Sequence, residues 1–138
     1  MKFPKDIHVS TKELEDEVLN VLRSGGYSCF NNLTVRKFER AFSMKFHTNA
    51  VAVTNCTNAI EAVLRLLKIK GEVILPAYGY MATVQAIRNA GCIPRFVDID
   101  DSFTIDPQKI EVTKETRAII PVHLFGNPCN MREIMKFA

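Results

Sequence analysis

Four cysteines are all the chain has, at positions 29, 56, 92 and 129, with no Cys-x-x-Cys pair and no histidine at ligand spacing. Neither a zinc site nor a redox dithiol is thereby suggested, and isolated reduced thiols are expected. No apolar run reaches the roughly 18–20 residues that span a bilayer. The start, Met1-Lys2-Phe3-Pro4-Lys5-Asp6, also lacks the apolar stretch of a signal peptide. The expectation is a cytoplasmic protein with no membrane partner. The net charge of +3 comes from 18 basic and 15 acidic side chains scattered along the chain. Without a basic block or aromatic-basic interleaving, no nucleic acid is expected as a partner. Gly-x-x-x-x-Gly-Lys and Gly-x-Gly-x-x-Gly are both absent, which counts against a P-loop and a dinucleotide fingerprint. Internal repeats and low-complexity linkers are missing too.

What is present, 47% hydrophobic and 24% charged residues in 138, is the mix of one soluble domain with a packed core. Ser10-Thr11-Lys12-Glu13 has the Ser-x-x-Glu form of a capping box, Leu14, Val18, Val21 and Leu22 make one apolar face, and Gly25-Gly26 supply a stop. This predicts a helix over 11–24. Val35, Phe38, Ala41, Phe42 and Phe46 repeat the spacing in a second helix, and each helix is expected to bury one side.

From about residue 50 extended and helical signals alternate. Ala50-Val51-Ala52-Val53 reads as a strand, a polar turn follows, and Ile60, Val63, Leu64 and Leu67 take up helical spacing until Gly71. Val73-Ile74-Leu75 precedes a helix over 81–90 closed by Gly91, and Phe96-Val97 precedes an acidic turn. Asp106-Pro107 can start a short helix, Ala118-Ile119-Ile120-Pro121-Val122 reads as a fourth strand, and Asn130-Met131-Arg132-Glu133 as the N-cap of a last helix. Continuously apolar strands separated by helices belong to a mostly parallel sheet covered on both faces. The expected class is therefore a three-layer α/β/α domain, incomplete because the chain stops inside its last helix. Residues 1–48 form a helical segment and 49–138 the α/β domain, the two making a single structural unit.

Ligands of such sheets gather at the carboxyl ends of the strands. At Thr54-Asn55-Cys56-Thr57-Asn58-Ala59, small polar side chains lead into a helix whose free N–H groups and dipole suit an anion, commonly a phosphate. A plain N-cap on Asn55 or Thr57 accounts for the same residues. At Pro76-Ala77-Tyr78-Gly79-Tyr80-Met81-Ala82-Thr83, an aromatic could stack on a flat ring or simply pack in the core. His123 leaves the fourth strand, where a hydrogen-bonded structural role competes with catalysis. Asp98, Asp100 and Asp101 lack the glycine and glutamate of a calcium loop and read as a solvated turn. No metal site is expected.

In this order and spacing, the three segments resemble the DegT/DnrJ/StrS family of pyridoxal-phosphate-dependent aminotransferases. The likeness starts with the Phe38-Glu39 helix and Ala50-Val51-Ala52-Val53, and continues through Gly71-Glu72-Val73-Ile74-Leu75-Pro76 and Phe96-Val97-Asp98-Ile99-Asp100 to Pro121-Val122-His123-Leu124-Phe125-Gly126. It implies the large domain of a fold-type I transferase, pyridoxal 5'-phosphate as cofactor, a nucleotide-linked keto sugar as substrate and an amino acid as donor. By that resemblance Thr57 and Asn58 contact the cofactor phosphate and Tyr80 stacks on the pyridine ring. Cys56 stands where family members often have glycine, which removes backbone freedom beside the phosphate.

The resemblance also implies an aspartate at the pyridine nitrogen and a lysine that forms the Schiff base, and neither has a match here. Lys68, Lys70 and Lys109 fall at helix ends or in surface turns, where a solvated amine keeps its proton. No catalytic residue is therefore assigned, and transamination by these residues alone is not expected. The family's first strand pairs with its seventh, so residues 50–53 should be orphaned and the isolated chain unstable. A complementing carboxyl-terminal chain or a homodimer is the implied partner. The competing reading is a non-catalytic binding or regulatory module that keeps the phosphate-binding turn.

Overall fold

The computed structural model describes residues 11–25 and 33–137. They fall in two units, Met1–Ala52 and Val53–Ala138. In the first, Thr11 is extended and its hydroxyl accepts from the Leu14 N–H, opening α1 (Lys12–Ser24). Gly25, at φ 66°, closes it with an N–H bond to the Leu22 carbonyl. The cap thus sits one residue beyond the expected Ser10; Ser10 and Gly26 lie outside the described residues. The second helix, α2 (Leu33–Phe46), stacks Phe38, Phe42 and Phe46 along one face, with ring centroids 6.1 and 4.5 Å apart. Neither helix has a buried residue. The expectation that each buries one side fails because an amphipathic stripe is buried only by an apolar partner, and none covers it among the described residues.

The strand expected at residues 50–53 is also absent. The stretch is irregular, Val51 is 80% exposed, and the Ala52 N–H donates to Glu39 Oε1 at 2.8 Å. An apolar run becomes a strand only where a neighbour completes its ladder, and no described strand does so here.

The second unit runs α3 (Cys56–Leu66), β1 (Glu72–Pro76), α4 (Met81–Asn89), β2 (Ile93–Val97), a single 3-10 turn (Pro107–Lys109), β3 (Thr116–Ile119), α5 (Met131–Ile134) and a second 3-10 turn (Met135–Phe137). The three strands form a parallel sheet in the order β2-β1-β3. As the middle strand, β1 is covered on both faces, which is why it is continuously apolar. Val73 and Leu75 face a cluster with Leu64 of α3, Ile87 of α4, and Ala90 and Cys92 just after it. Ile74 faces the opposite cluster of Val97, Ile105, Ile110, Cys129 and Ile134. The α/β class is therefore as expected, with a small sheet of three parallel strands between two covering layers.

Two boundaries depend on single residues. Gly71 precedes β1 at φ 127°, and a Cβ there would lie 2.5 Å from the Glu115 carbonyl oxygen. Only glycine lets the 115–116 segment come this close. β3 starts and ends earlier than its apolar run suggests. The Ile120 N–H still reaches the Ile74 carbonyl at 2.8 Å, but Pro121 then has no N–H to continue the ladder. Among the described residues no helix is long and apolar enough to cross a membrane.

Candidate functional site

At the carboxyl end of β1 two helices begin side by side. Asn55 is extended (φ −164°, ψ 171°) and its Oδ1 accepts from the Asn58 N–H at 2.9 Å, while its carbonyl takes the Ala59 N–H at 3.1 Å. Asn58 also donates through Nδ2 to Thr54 Oγ1 at 3.3 Å. The N–H groups of Cys56 and Thr57 have no protein partner among the described residues. They are the first-turn donors that a helix leaves unpaired, and the positive end of its dipole adds to them.

The facing start belongs to α4. Tyr80 occupies its N-cap position without a side-chain cap bond, its carbonyl accepts from the Thr83 N–H at 3.1 Å, and its side chain is 81% exposed. Between the two helix starts lies a hollow of about 360 Å³ lined by Asn55, Cys56, Thr57, Ile60, Tyr80, Ala82 and Thr83. No charged side chain lines it. Anion attraction there rests on backbone N–H groups, the Thr57 and Thr83 hydroxyls and the helix dipoles. Thr57 and Tyr80 are brought together across this hollow. Asn58 is not among the lining residues, and its N–H is held by the capping Asn55 carboxamide. Ala82 and Thr83 fall within the second segment singled out from the sequence, without a role assigned to them, and Ile60 is read there only as part of the apolar helix face.

His123 lies beyond the end of β3, past Pro121, and its Nδ1 accepts from the Cys129 N–H at 3.0 Å. The ring proton is thereby assigned to Nε2. The Cys129 thiol donates to the Val122 carbonyl at 3.1 Å, and the Asn127 N–H to Leu124 at 2.8 Å. These bonds fasten a turn. His123 is the structural kind of histidine, and it is not among the residues lining the hollow. Next to the turn, Tyr78, Phe103 and Phe125 bring three rings together with centroids 5.9–6.4 Å apart.

In the acidic turn, Lys109 Nζ donates to Asp98 Oδ2 at 2.9 Å, and Ser102 donates to Asp100 Oδ1 through both N–H and hydroxyl. The bond from Lys109, then that from the Ile99 N–H, holds the Asp98 carboxyl below the usual carboxylate range. The same pairing raises Lys109, so its amine grips its proton more firmly than a free lysine. Among the described residues no group of three or more acidic, histidine or cysteine side chains could hold a metal ion.

The family model for the DegT/DnrJ/EryC1/StrS aminotransferase family matches residues 9–138. Among curated relatives, GDP-perosamine synthase of Escherichia coli O157:H7 is 33% identical over 144 residues, which cover 100% of this chain and 40% of that protein. The dTDP-4-amino-4,6-dideoxy-D-glucose transaminase of Escherichia coli is 46% identical over 87 residues, covering 61% of this chain and 24% of the relative. Among solved structures, NtdA from Bacillus subtilis with bound cofactor PMP superposes with a TM-score of 0.83 at 31% identity, covering 99% of this chain and 36% of that one. The 138 residues thus span well under half the length of the proteins they match.

Proposed function

Since the chain belongs to the DegT/DnrJ/EryC1/StrS aminotransferase family, we propose that it forms the cofactor-phosphate and ring-stacking part of a pyridoxal-phosphate-dependent sugar aminotransferase. The hollow between the starts of α3 and α4 carries this reading. Its size lies within the range of small-molecule sites. The unpaired N–H groups of Cys56 and Thr57, with the Thr57 hydroxyl, suit a phosphate. The exposed face of Tyr80 suits a flat ring, which prefers an offset stack on another π system. Asn58 enters indirectly, by fixing the capped first turn with Asn55. When bound, the cofactor supplies the electron sink, and these residues bind and orient it.

The substrate we infer is a nucleotide-linked keto sugar aminated from an amino acid, a reading supported by relatives named for GDP- and dTDP-linked sugars. No lysine lines the hollow. The nucleophilic lysine and the acid at the ring nitrogen would therefore come from polypeptide other than these residues. The same observation favours a second reading, a binding module that holds the phosphate without turnover. Free thiols at Cys56, Cys92 and Cys129 go with a cytoplasmic location under either reading.

Titrating the 138-residue chain with pyridoxal phosphate tests the proposal. Binding that inorganic phosphate displaces, weakened roughly tenfold or more by Thr57→Val and by Tyr80→Ala, is the expected result. A folded sample that binds neither pyridoxal phosphate nor phosphate would sink it. A borohydride-trapped adduct on a lysine of this chain would show that the nucleophile is present after all, and its absence fits the positioning role.

A further inference from the structure

Behind the two helix starts, the side chains of α3 and α4 interlock. Arg65 donates through Nε to Glu61 Oε1 at 2.8 Å and through a terminal guanidinium nitrogen to the main-chain carbonyl of Asn89. Asn89 Nδ2 donates to the other Glu61 oxygen at 3.2 Å, and Gln85 Nε2 donates to Asn89 Oδ1 at 2.6 Å. Both carboxylate oxygens of Glu61 are therefore engaged, one within α3 and one across to α4. The Asn89 carbonyl, at the end of α4 where the helix offers it no partner, is satisfied by a guanidinium from the neighbouring helix.

The spacing matters more than the bonds taken singly. Glu61 and Arg65 are four residues apart on α3, and Gln85 and Asn89 four apart on α4, so each pair lies along one ridge of its helix. One turn towards the amino end, the α3 ridge carries Thr57, which lines the hollow, and the α4 ridge carries Met81, which does not line it but sits between the lining residues Tyr80 and Ala82. Any shift of one helix against the other at the clamp is thus passed to the two walls of the hollow. Bonds from Arg65 and then Asn89 also hold the Glu61 carboxyl below its ordinary range, which keeps the clamp charged.

We propose that Glu61, Arg65 and Asn89 are positioning residues that set the gap between Thr57 and Tyr80, and with it the fit of a phosphate-bearing aromatic ring. The proposal rests on the cofactor reading given above. Exposed ion pairs add little to stability, so the clamp should show itself in how a ligand is held more than in the melting temperature.

The test compares the 138-residue chain with its Glu61→Gln and Asn89→Ala variants, well below their thermal transitions, using pyridoxal phosphate as the probe. Two readouts are taken: phosphate-competable affinity, and the induced circular dichroism of the cofactor's absorption band, which reports ring orientation. Binding roughly tenfold weaker with a diminished or inverted band, at a nearly unchanged thermal midpoint, is expected. Arg65→Lys keeps the charge but loses the reach to Asn89, and should fall between these variants and the parent. If a variant unfolds, Gln85→Ala removes only the outermost bond and should still reduce the band. Parent and variants binding alike, with the same band, would overturn the proposal while leaving the cofactor reading intact. A parent that binds no pyridoxal phosphate would overturn both.

Discussion

Asn55 accepts from the Asn58 N–H, two residues along from the open donor of Cys56. Replacing Asn55 with Ala should cost about 1 kcal/mol in a urea titration, the usual loss of an N-cap. Asn55→Asp should keep the cap and the melting temperature, yet weaken phosphate binding, because its carboxylate lines the same hollow. Affinity and stability therefore move separately at one position. Gly71 gives the opposite case, a residue with no ligand role on which the sheet depends. A methyl group there would meet the Glu115 carbonyl oxygen at 2.5 Å in a backbone conformation that L side chains rarely adopt. Gly71→Ala should cost about 2–3 kcal/mol, seen as a lower urea midpoint at unchanged slope.

Between β2 and the first 3-10 turn, the Asp98–Lys109 pair has a pH signature. Asp98's carboxyl is depressed, chiefly by its bond from Lys109, so its contribution is present above the ordinary carboxylate value and is lost as pH falls through the folded one. Thermal midpoints followed down from about pH 5 should decline with an acid slope that Lys109→Met makes shallower. At this scale the sequence was most readable where a single residue ends an element. Asn55 opens α3 and Gly91 follows α4, and α4 and β1 lie close to where the pattern puts them, whereas α3 ends at Leu66, short of the Gly71 its spacing pointed to, with Lys68 already at φ 54°. Residues 50–53 were misread because four apolar residues do not reveal whether a neighbouring strand completes their ladder. β3 shifted because its pairing with β1 depends on Gly71 and Pro121, not on its own hydrophobicity. Thr57 and Tyr80 are picked out by the family resemblance of the segments that hold them, and both line the hollow. Which first-turn donors stay open depends on which side chain takes the cap, and that choice among Asn55, Thr57 and Asn58 is three-dimensional.

Over the whole of the described chain, burial is concentrated around β1, where Val73 and Ile74 are 0% exposed and Leu75 is 2%. Hydrogen exchange should therefore be slowest at the amides of 73–75 and much faster throughout α1 and α2, which have no buried residue. Exposed Leu14, Val18, Phe38 and Phe42 should also bind a hydrophobic dye at neutral pH. The central place of β1 has a temporal consequence as well. It is the first of the three strands to leave the ribosome, yet its partners begin only at Ile93 and Thr116. Until the second of these has been synthesised, one flank of the most apolar strand stays open, so a nascent chain must carry that edge unprotected through the time needed to add β3.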